Sequence, residues 1–284
     1  MSKPLRYGVV GNPISHSMSP QLHQQFAKQT GISIVYSKYC PSTKGFNRVL
    51  NDFFQSGGKG LNVTAPFKLD ALNYADLITD RAKDSNSVNT LVYTPEGILG
   101  DSTDGMGFLR DLYAKQKEHS IDFQNKRAVL LGAGGVARCI AQSLLLDGFE
   151  VYLINRTQSK AEQLAKDLSH LGTIELYSES IAVDLIVNSV SFNADKFLDQ
   201  ITVADNAVAY DLNYDPKPRV CLEHHPQVIF NYSLNRQIPS GDSRQRDEAT
   251  NFQIIGTNRM RATLQFIYTR NRQRVGSNTL NLST

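Results

Sequence analysis

Alternating strand and helix patterns predict an α/β protein of two domains. From Tyr7 to Thr64, short apolar strands alternate with amphipathic helices, the pattern of a mostly parallel sheet. From Lys126 to about Tyr214 the alternation runs again, around a strand, a glycine turn and a helix. A chain of 284 residues is long enough for both. The expected organisation is an N-terminal three-layer α/β domain over 1–104, a Rossmann-like domain over 105–230 and an atypical C-terminal segment over 231–284.

Tyr7–Val10 reads as the first strand, broken by Gly11-Asn12-Pro13. Ser19-Pro20 reads as the cap and first position of a helix that runs to Gly31, with Leu22 and Phe26 facing inward. Ile34–Tyr39 is the next strand. Phe46, Val49, Leu50, Phe53 and Phe54 form the apolar stripe of a helix closed by Gly57-Gly58. Gly60–Thr64 is a third strand, and a polar segment follows Lys68 to Ser87. Val88–Tyr93 and Ile98–Gly100 read as a hairpin around Pro95-Glu96-Gly97. Asp101–Gly105 caps a helix over Met106–Lys115, where the first domain ends.

The stretch Ala128–Leu146, AVLLGAGGVARCIAQSLLL, is a strand, a turn with Gly132, Gly134 and Gly135, and a helix with apolar Val136, Ile140, Leu144 and Leu145. That geometry brings a pyrophosphate onto helix-N-terminal N–H groups, and glycine permits the close approach. A second strand, Glu150–Ile154, ends in Asn155-Arg156-Thr157. An NAD site usually places an acid here to accept from the ribose 2′-hydroxyl. This chain offers Arg156 and then Lys160, cations suited to the 2′-phosphate of NADP. A surface arginine in another α/β fold is the competing interpretation. A further helix turns Ala161, Leu164, Ala165 and Leu168 inward, and strands follow at Leu185–Asn188 and Ala207–Asp211.

Composition excludes several classes. No apolar run reaches bilayer length, and the N-terminal residues lack the apolar core of a signal peptide, so a cytoplasmic protein away from membranes is expected. Three dispersed cysteines (Cys40, Cys139, Cys221) suit a reducing compartment and argue against disulfides or zinc. No His/Cys/acid cluster suggests a metal, and no GxSxG marks a hydrolase. The charge is uneven: residues 231–284 carry eight arginines, no lysine and three acids. A basic tail could meet nucleic acid, but its aromatics form no recognised nucleic-acid motif, so none is expected.

Polar groups gather at the ends of the expected strands: Asn12 to Ser17, Asn62 to Lys68, Asn89, Asp101 to Asp104 and Tyr214. Ligands of open α/β sheets bind there. Hydroxyls, amides, one lysine and one carboxylate suit a small polyhydroxylated carboxylic acid, with serines on its carboxylate. Reducing a ketone by hydride needs a proton for the forming alkoxide. Lys68 could donate it, with Asp104 orienting the lysine or relaying the proton. Each has an ordinary alternative, Lys68 as a solvated loop residue, Asp104 as a helix cap, and Ser15 and Ser17 as loop hydrogen-bonders.

The strings GNPISHSMSP (11–20), NVTAPFK (62–68), SVNTL (87–91), GDSTDG (100–105), GAGGVAR (132–138) and NRT (155–157) together resemble the shikimate dehydrogenase family, with its shikimate/quinate relatives, over roughly residues 5–215. The resemblance implies a two-domain enzyme that reduces 3-dehydroshikimate to shikimate with NADPH, in the synthesis of chorismate and aromatic amino acids. It implies that Ser15 and Ser17 bind the substrate carboxylate. Asn62, Thr64, Asn89 and Asp104 would bind ring hydroxyls, and Tyr214 would belong to the substrate site. Lys68 and Asp104 would be the acid/base pair. Gly132, Ala133, Gly134, Gly135, Val136 and Ala137, with Asn155, Arg156 and Thr157, would hold NADP(H). A small-molecule substrate is the expected partner, with the chain a monomer or homodimer.

The chain departs from the family pattern in three places. Ser102 stands where the family usually has Asn, and Asn188-Ser189-Val190-Ser191 stands near a usual Asn-Ala-Thr-Ser. After about Pro218 the family's DGxGML turn and the glutamine-bearing helix that follows it do not appear. Two alternatives therefore accompany the dehydrogenase expectation: a quinate/shikimate dehydrogenase, and an NADP-binding protein whose catalysis is impaired by the altered C-terminus.

Overall fold

The computed structural model describes residues 3–190, 195–212 and 229–231. They form two compact units. Of the described residues, one unit holds those up to Lys83 together with Ser87–Thr103, and the other holds Asp84–Asn86 and those from Asp104 onward.

The first unit contains strands β1 (Leu5–Val10), β2 (Ile34–Tyr39), β3 (Gly60–Val63), β4 (Leu77–Ile78), β5 (Thr90–Thr94) and β6 (Gly97–Asp101). Their spatial order is β2-β1-β3-β5-β6-β4. β1 runs parallel to β2 and β3, and β4 parallel to β6; β5 is antiparallel to both its neighbours. The expected mostly parallel sheet therefore contains one reversed strand, inserted by the tight turn at Pro95-Glu96. Side chains alternate between the faces. Val10, Leu61, Val63 and Leu91 face helix α2 (Phe46–Gln55), whose Phe46, Leu50, Phe53 and Phe54 are buried. Tyr7, Val9, Tyr36 and Val92 form the other face, against which helix α1 (Ser19–Thr30) lays the ring of His23.

Several details differ from the sequence expectation. The buried residues of α1 are His23 and Phe26, while Leu22 is half-buried. Ser19 is the first helical residue rather than the cap: Met18 holds the cap position, and no side chain caps the helix. The polar segment after Lys68 is structured. It forms helix α3 (Lys68–Tyr74), β4 and helix α4 (Asp80–Asp84); Ala71 is the buried residue of α3 and Ala82 that of α4, while Ile78 of β4 is half-buried.

The second unit contains helix α5 (Asp104–His119) and strands β7 (Arg127–Leu131), β8 (Glu150–Ile154), β9 (Ile174–Leu176), β10 (Val183–Asn188), β11 (Val203–Asp211) and β12 (Ile229–Asn231), with helices α6 (Gly135–Leu146), α7 (Gln158–Leu168) and α8 (Asp195–Leu198). All strand pairs are parallel, in the order β12-β11-β10-β7-β8-β9. Counted along the chain within this unit, that is the doubly wound order of a Rossmann sheet, reversing between β7 and β10. Ala128, Leu130, Leu185 and Val187 pack with α5, α6 and α7. Val129, Leu131, Ile186 and Ala209 pack on the other face with Leu198. Contrary to the helical pattern, Val136 is 38% exposed. Of the C-terminal segment, only Asn231 lies within the described residues, and Tyr214 lies outside them.

Where α5 meets α6, a Cβ built on Gly105 would stand 2.0 Å from Ser143 Oγ and 2.4 Å from the Cys139 carbonyl oxygen. A serine side chain can turn away, but a helix backbone cannot. Gly105→Ala is expected to destabilise the protein by about 1–3 kcal/mol, outweighing the roughly 1 kcal/mol of helix propensity gained. Equilibrium denaturation tests this, and a stabilised variant would refute the close approach.

Burial lowers the His23 pKa from 6.5 to about 4, against a smaller upward pull from Asn62. The unfolded chain thus takes up this proton more readily than the folded one. The contribution is intact above the unfolded value and is lost as pH falls from 6.5 toward about 4, by up to roughly 3 kcal/mol. Unfolding curves across that window should fall more steeply for the wild type than for His23→Phe. Parallel curves would exclude His23 as the source.

Candidate active site: two polar strand edges

At the switch point of the second unit, β7 runs into Gly132, whose φ is +113°. A Cβ there would also stand 2.5 Å from Ser189 Oγ and 3.0 Å from Val190 Cγ1. Glycine is required on both counts, because the loop after β10 is clamped over the turn. Ser189 donates to the Leu131 carbonyl from both its backbone N–H (3.0 Å) and its hydroxyl (2.7 Å). Asn188 Oδ1 accepts from the Val190 N–H at 3.1 Å, and its Nδ2 donates to Asp211 at 3.2 Å. Gly134 and Gly135 are exposed, and a Cβ on either meets nothing within 4 Å. No side chain caps α6, and no acid lies in its first turn. The first N–H groups of a twelve-residue helix thus face a glycine-lined opening, the arrangement that receives phosphate. Ala133 is half-buried and Ala137 buried, so the exposed Val136 borders the opening.

The Gly132 N–H donates to the Ile154 carbonyl at 2.8 Å, bringing the end of β8 beside the turn. There Asn155 Nδ2 donates to the Thr157 carbonyl at 2.7 Å. Arg156, Thr157 and Lys160 are exposed around the start of α7. A glycine opening next to two cations fits a dinucleotide carrying a 2′-phosphate. Arg138 has a role the sequence reading did not assign. Its Nε donates to the Asp84 carbonyl at 2.9 Å and its guanidinium pairs with Asp167 at 2.5 Å, tying α6 to α7 and to residue 84.

In the first unit the polar residues line one edge of the sheet. The loop after β1 is held from three sides. Gly11 N–H donates to the Tyr39 carbonyl, Asn12 N–H to the Ala65 carbonyl, and Lys38 Nζ to the Ser15 carbonyl at 2.5 Å. Ser15 itself is exposed; Ser17 is half-buried and its hydroxyl donates to Ser19 Oγ at 3.1 Å. Thr64 sits against the same loop, since a Cβ on Gly11 would stand 2.4 Å from its Cγ2. Lys68 opens α3, half-buried, and its carbonyl accepts from Val88 N–H.

Two amides on this edge have their oxygens committed. Asn89 Oδ1 accepts from Thr103 N–H (3.0 Å), Thr103 Oγ1 (3.1 Å) and Thr90 Oγ1 (2.9 Å). A backbone N–H can only donate, so the oxygen end of Asn89 is fixed inward and Nδ2 is its donating end. Asn62 Oδ1 accepts from Tyr36 Oη at 2.7 Å. Burial raises the Tyr36 pKa, with a smaller opposite effect from Ser19, so the phenol stays protonated and donates. Asp101, fully buried, is gripped by the Arg81 guanidinium and by Thr79 Oγ1 at 2.7 Å, and its Oδ1 accepts from Ser102 N–H. Asp104 is buried at the start of α5, in the second unit.

The structure thus brings Ser15, Ser17, Asn62, Thr64, Lys68 and Asn89 to one edge of the first unit, and Gly132–Ala137 with Asn155–Thr157 and Lys160 to one edge of the second. The sequence reading missed Ser19, Tyr36 and Lys38, whose contacts join residues distant along the chain. The one local signal was the Ser17-Met18-Ser19 spacing. Among the described residues, no group of three or more His, Cys, Asp or Glu could hold a metal ion, and no helix is long and apolar enough to cross a membrane.

Two family models match the chain. The shikimate dehydrogenase substrate binding domain matches residues 9–91, and shikimate / quinate 5-dehydrogenase matches residues 113–200. The shikimate dehydrogenase (NADP(+)) of Pseudoalteromonas atlantica is 43% identical over 218 residues, 74% of this chain and 79% of that protein. Among solved structures, shikimate dehydrogenase from Aquifex aeolicus has a TM-score of 0.69 at 27% identity, over 81% of this chain and 88% of that one. Shikimate 5-dehydrogenase from Thermus thermophilus, in complex with NADP(H) and shikimate, has a TM-score of 0.63 at 28% identity, over 75% and 80%. With both family domains matched in order along one chain, this protein belongs to the shikimate dehydrogenase family.

Proposed function

We propose that the chain catalyses the reversible NADP-dependent reduction of 3-dehydroshikimate to shikimate, on the route to chorismate and aromatic amino acids, in the cytoplasm. The observation that carries this is the pairing of two family domains with 43% identity to a relative of that name. Bound NADPH supplies the hydride. The glycine turn Gly132–Gly135, with Val136 and Ala137, receives its pyrophosphate on the α6 N–H groups. Arg156 and Lys160 meet the 2′-phosphate, and Asn155 and Thr157 hold the ribose side.

On the substrate side, Ser17 and Ser15 take the carboxylate. The hydroxyl contact of Ser19 with Ser17 supports adding Ser19 to this pair. Asn62 and Asn89 present amide N–H groups and Thr64 a hydroxyl to the ring oxygens, and Asp104 accepts from a ring hydroxyl. Lys68 delivers the proton to the forming alkoxide, with Asp104 as its partner in acid/base work. Tyr214 completes the substrate set. Quinate is the second candidate substrate, because the matched C-terminal family carries both acids in its description.

NADPH formation by the full chain with shikimate and with quinate tests the reading. Turnover of shikimate with NADP is expected, and failure with both acids would overturn it. Lys68→Ala should lower kcat by about 10²–10⁴-fold, with KM little changed. A change confined to KM would make Lys68 a binding residue. Arg156→Ala should weaken NADP by roughly ten- to a hundredfold, the worth of a charge-assisted hydrogen bond, and leave NAD unaffected. Equal losses for both cofactors would refute the 2′-phosphate assignment.

A further inference from the structure

We propose that Arg81 is a positioning residue for the substrate site: through Asp101 it fixes the turn that holds the Asn89 carboxamide with its nitrogen as the donating end. This rests on the reading of Asn89 as a substrate residue. Each link is a hydrogen bond within the first unit. Arg81, half-buried in α4, grips both oxygens of the fully buried Asp101, with Nε on Oδ1 at 2.6 Å and a terminal nitrogen on Oδ2. Asp101 Oδ1 also accepts from Thr79 Oγ1 at 2.7 Å and from the Ser102 N–H at 2.9 Å. The Thr79 N–H donates to the Gly100 carbonyl at 3.1 Å, so the segment carrying Thr79 and Arg81 is itself fastened to β6. On the other side, the Asn89 N–H donates to the Asp101 carbonyl at 3.0 Å. Thr103 then gives its N–H and its hydroxyl to Asn89 Oδ1, at 3.0 and 3.1 Å.

The chemistry at residue 101 points beyond packing. The Ser102 N–H and the Thr79 hydroxyl need only a neutral acceptor. An asparagine at 101 would supply one without taking a carboxylate out of water, which is costly even when the charge is paired. An amide, however, can present either its oxygen or its nitrogen, whereas an ionised carboxylate only accepts. The planar guanidinium fork then admits one orientation of that carboxylate. With Oδ1 held in place, the Ser102 N–H has one direction to follow, and the backbone turns so that Thr103 meets the Asn89 oxygen. Asn89 is thereby held by its oxygen before a ligand arrives and loses little rotational freedom on binding. Arg81 acts on the site through Asp101 and the turn, so its effect belongs to substrate binding and not to proton or hydride transfer.

Steady-state kinetics of the full chain distinguish this role from a purely structural one. Arg81→Lys keeps a cation beside Asp101 and removes the fork. It should raise the KM for shikimate by about fivefold, the worth of one neutral hydrogen bond, with kcat and the KM for NADP near wild type. A role confined to stability would lower the Tm and leave that KM unchanged. In an Asn89→Ala background, whose own KM for shikimate is raised, Arg81→Lys should add nothing further, because both changes act on one amide. The double variant Arg81→Met/Asp101→Asn removes both charges together while leaving the Ser102 N–H an acceptor. It should show the same rise in KM, and it serves should Arg81→Lys not fold. Folded Arg81 variants with the wild-type KM for shikimate overturn the assignment, as does a loss confined to kcat or an effect that simply multiplies with that of Asn89→Ala. A wild type that turns over neither acid, or an Asn89→Ala variant with the wild-type KM for shikimate, overturns the underlying site reading and this assignment with it.

Discussion

Each loop that leaves a parallel strand in this protein must find partners for its first backbone groups at the end of the neighbouring strand, and the sites follow from that demand. In the first unit, Gly11 N–H donates to the last carbonyl of β2, and Thr64 N–H to the last carbonyl of β1. In the second, Gly132 N–H reaches the end of β8, Ser189 N–H the end of β7 and Leu212 N–H the end of β10. A backbone group left unpaired at such a buried edge would cost as much as a lost hydrogen bond. The stitching satisfies them and makes the loops rigid extensions of the sheets. Polar side chains on these loops are therefore held in place before any ligand binds, which is what a site built from single hydrogen bonds requires.

Rigid loops set position, but hydrogen-bond polarity sets what the site can read. Asn62 and Asn89 could each face outward with either end of the amide. Three donors on the Asn89 oxygen, one of them a backbone N–H, leave no choice, and a buried protonated phenol decides Asn62. Both amides thereby become donors, suited to hydroxyl oxygens and to an oxygen gaining negative charge. A ligand that offered donors at those points would leave two buried N–H groups facing its own, a larger penalty than the gain from a single correct bond.

What could be read from the sequence follows the range of the interactions. Four strands of the second unit, β7, β8, β10 and β11, were plain because buried parallel strands are continuous apolar runs, whereas the three-residue β9 and β12 were not read as strands. The glycine turn was plain because its chemistry lies within four residues. Short elements were not. α3 and α4 each have a single alanine as their buried residue, and β4 has only a half-buried Ile78, too little in a polar stretch to produce a period. In α1 the hydrophobicity of Leu22 outweighed that of His23, although the buried stripe runs through His23 and Phe26, three residues apart. The placing of Asn62, Asn89, Ser17 and Lys68 at strand ends was legible, but not their orientation. The partners that orient them lie 26 residues from Asn62 and 14 from Asn89, and no local pattern announces a pairing at that distance.

Two buried carboxylates outside the proposed chemistry, Asp111 and Asp101, show how differently the fold treats a buried acid. Asp111 is given one strong neutral partner, the Tyr210 hydroxyl, and one of its oxygens completes no bond among the described residues. Burial accordingly raises its pKa, with Tyr210 and Lys115 pulling the other way. Asp101 is given a guanidinium, a threonine hydroxyl and a backbone N–H. An ion pair of this kind adds little net stability over an apolar pair of equal volume, because desolvation offsets the attraction. What it adds is direction: a bidentate guanidinium admits one carboxylate orientation, and the Ser102 N–H must then follow it. The Asp101 carbonyl in turn receives the Asn89 N–H, and Thr103, two residues on, supplies the donors to the Asn89 oxygen. The buried pair at the end of β6 thus constrains the turn that decides which end of Asn89 the site presents, and it is retained where conformation, rather than stability, is the scarce quantity.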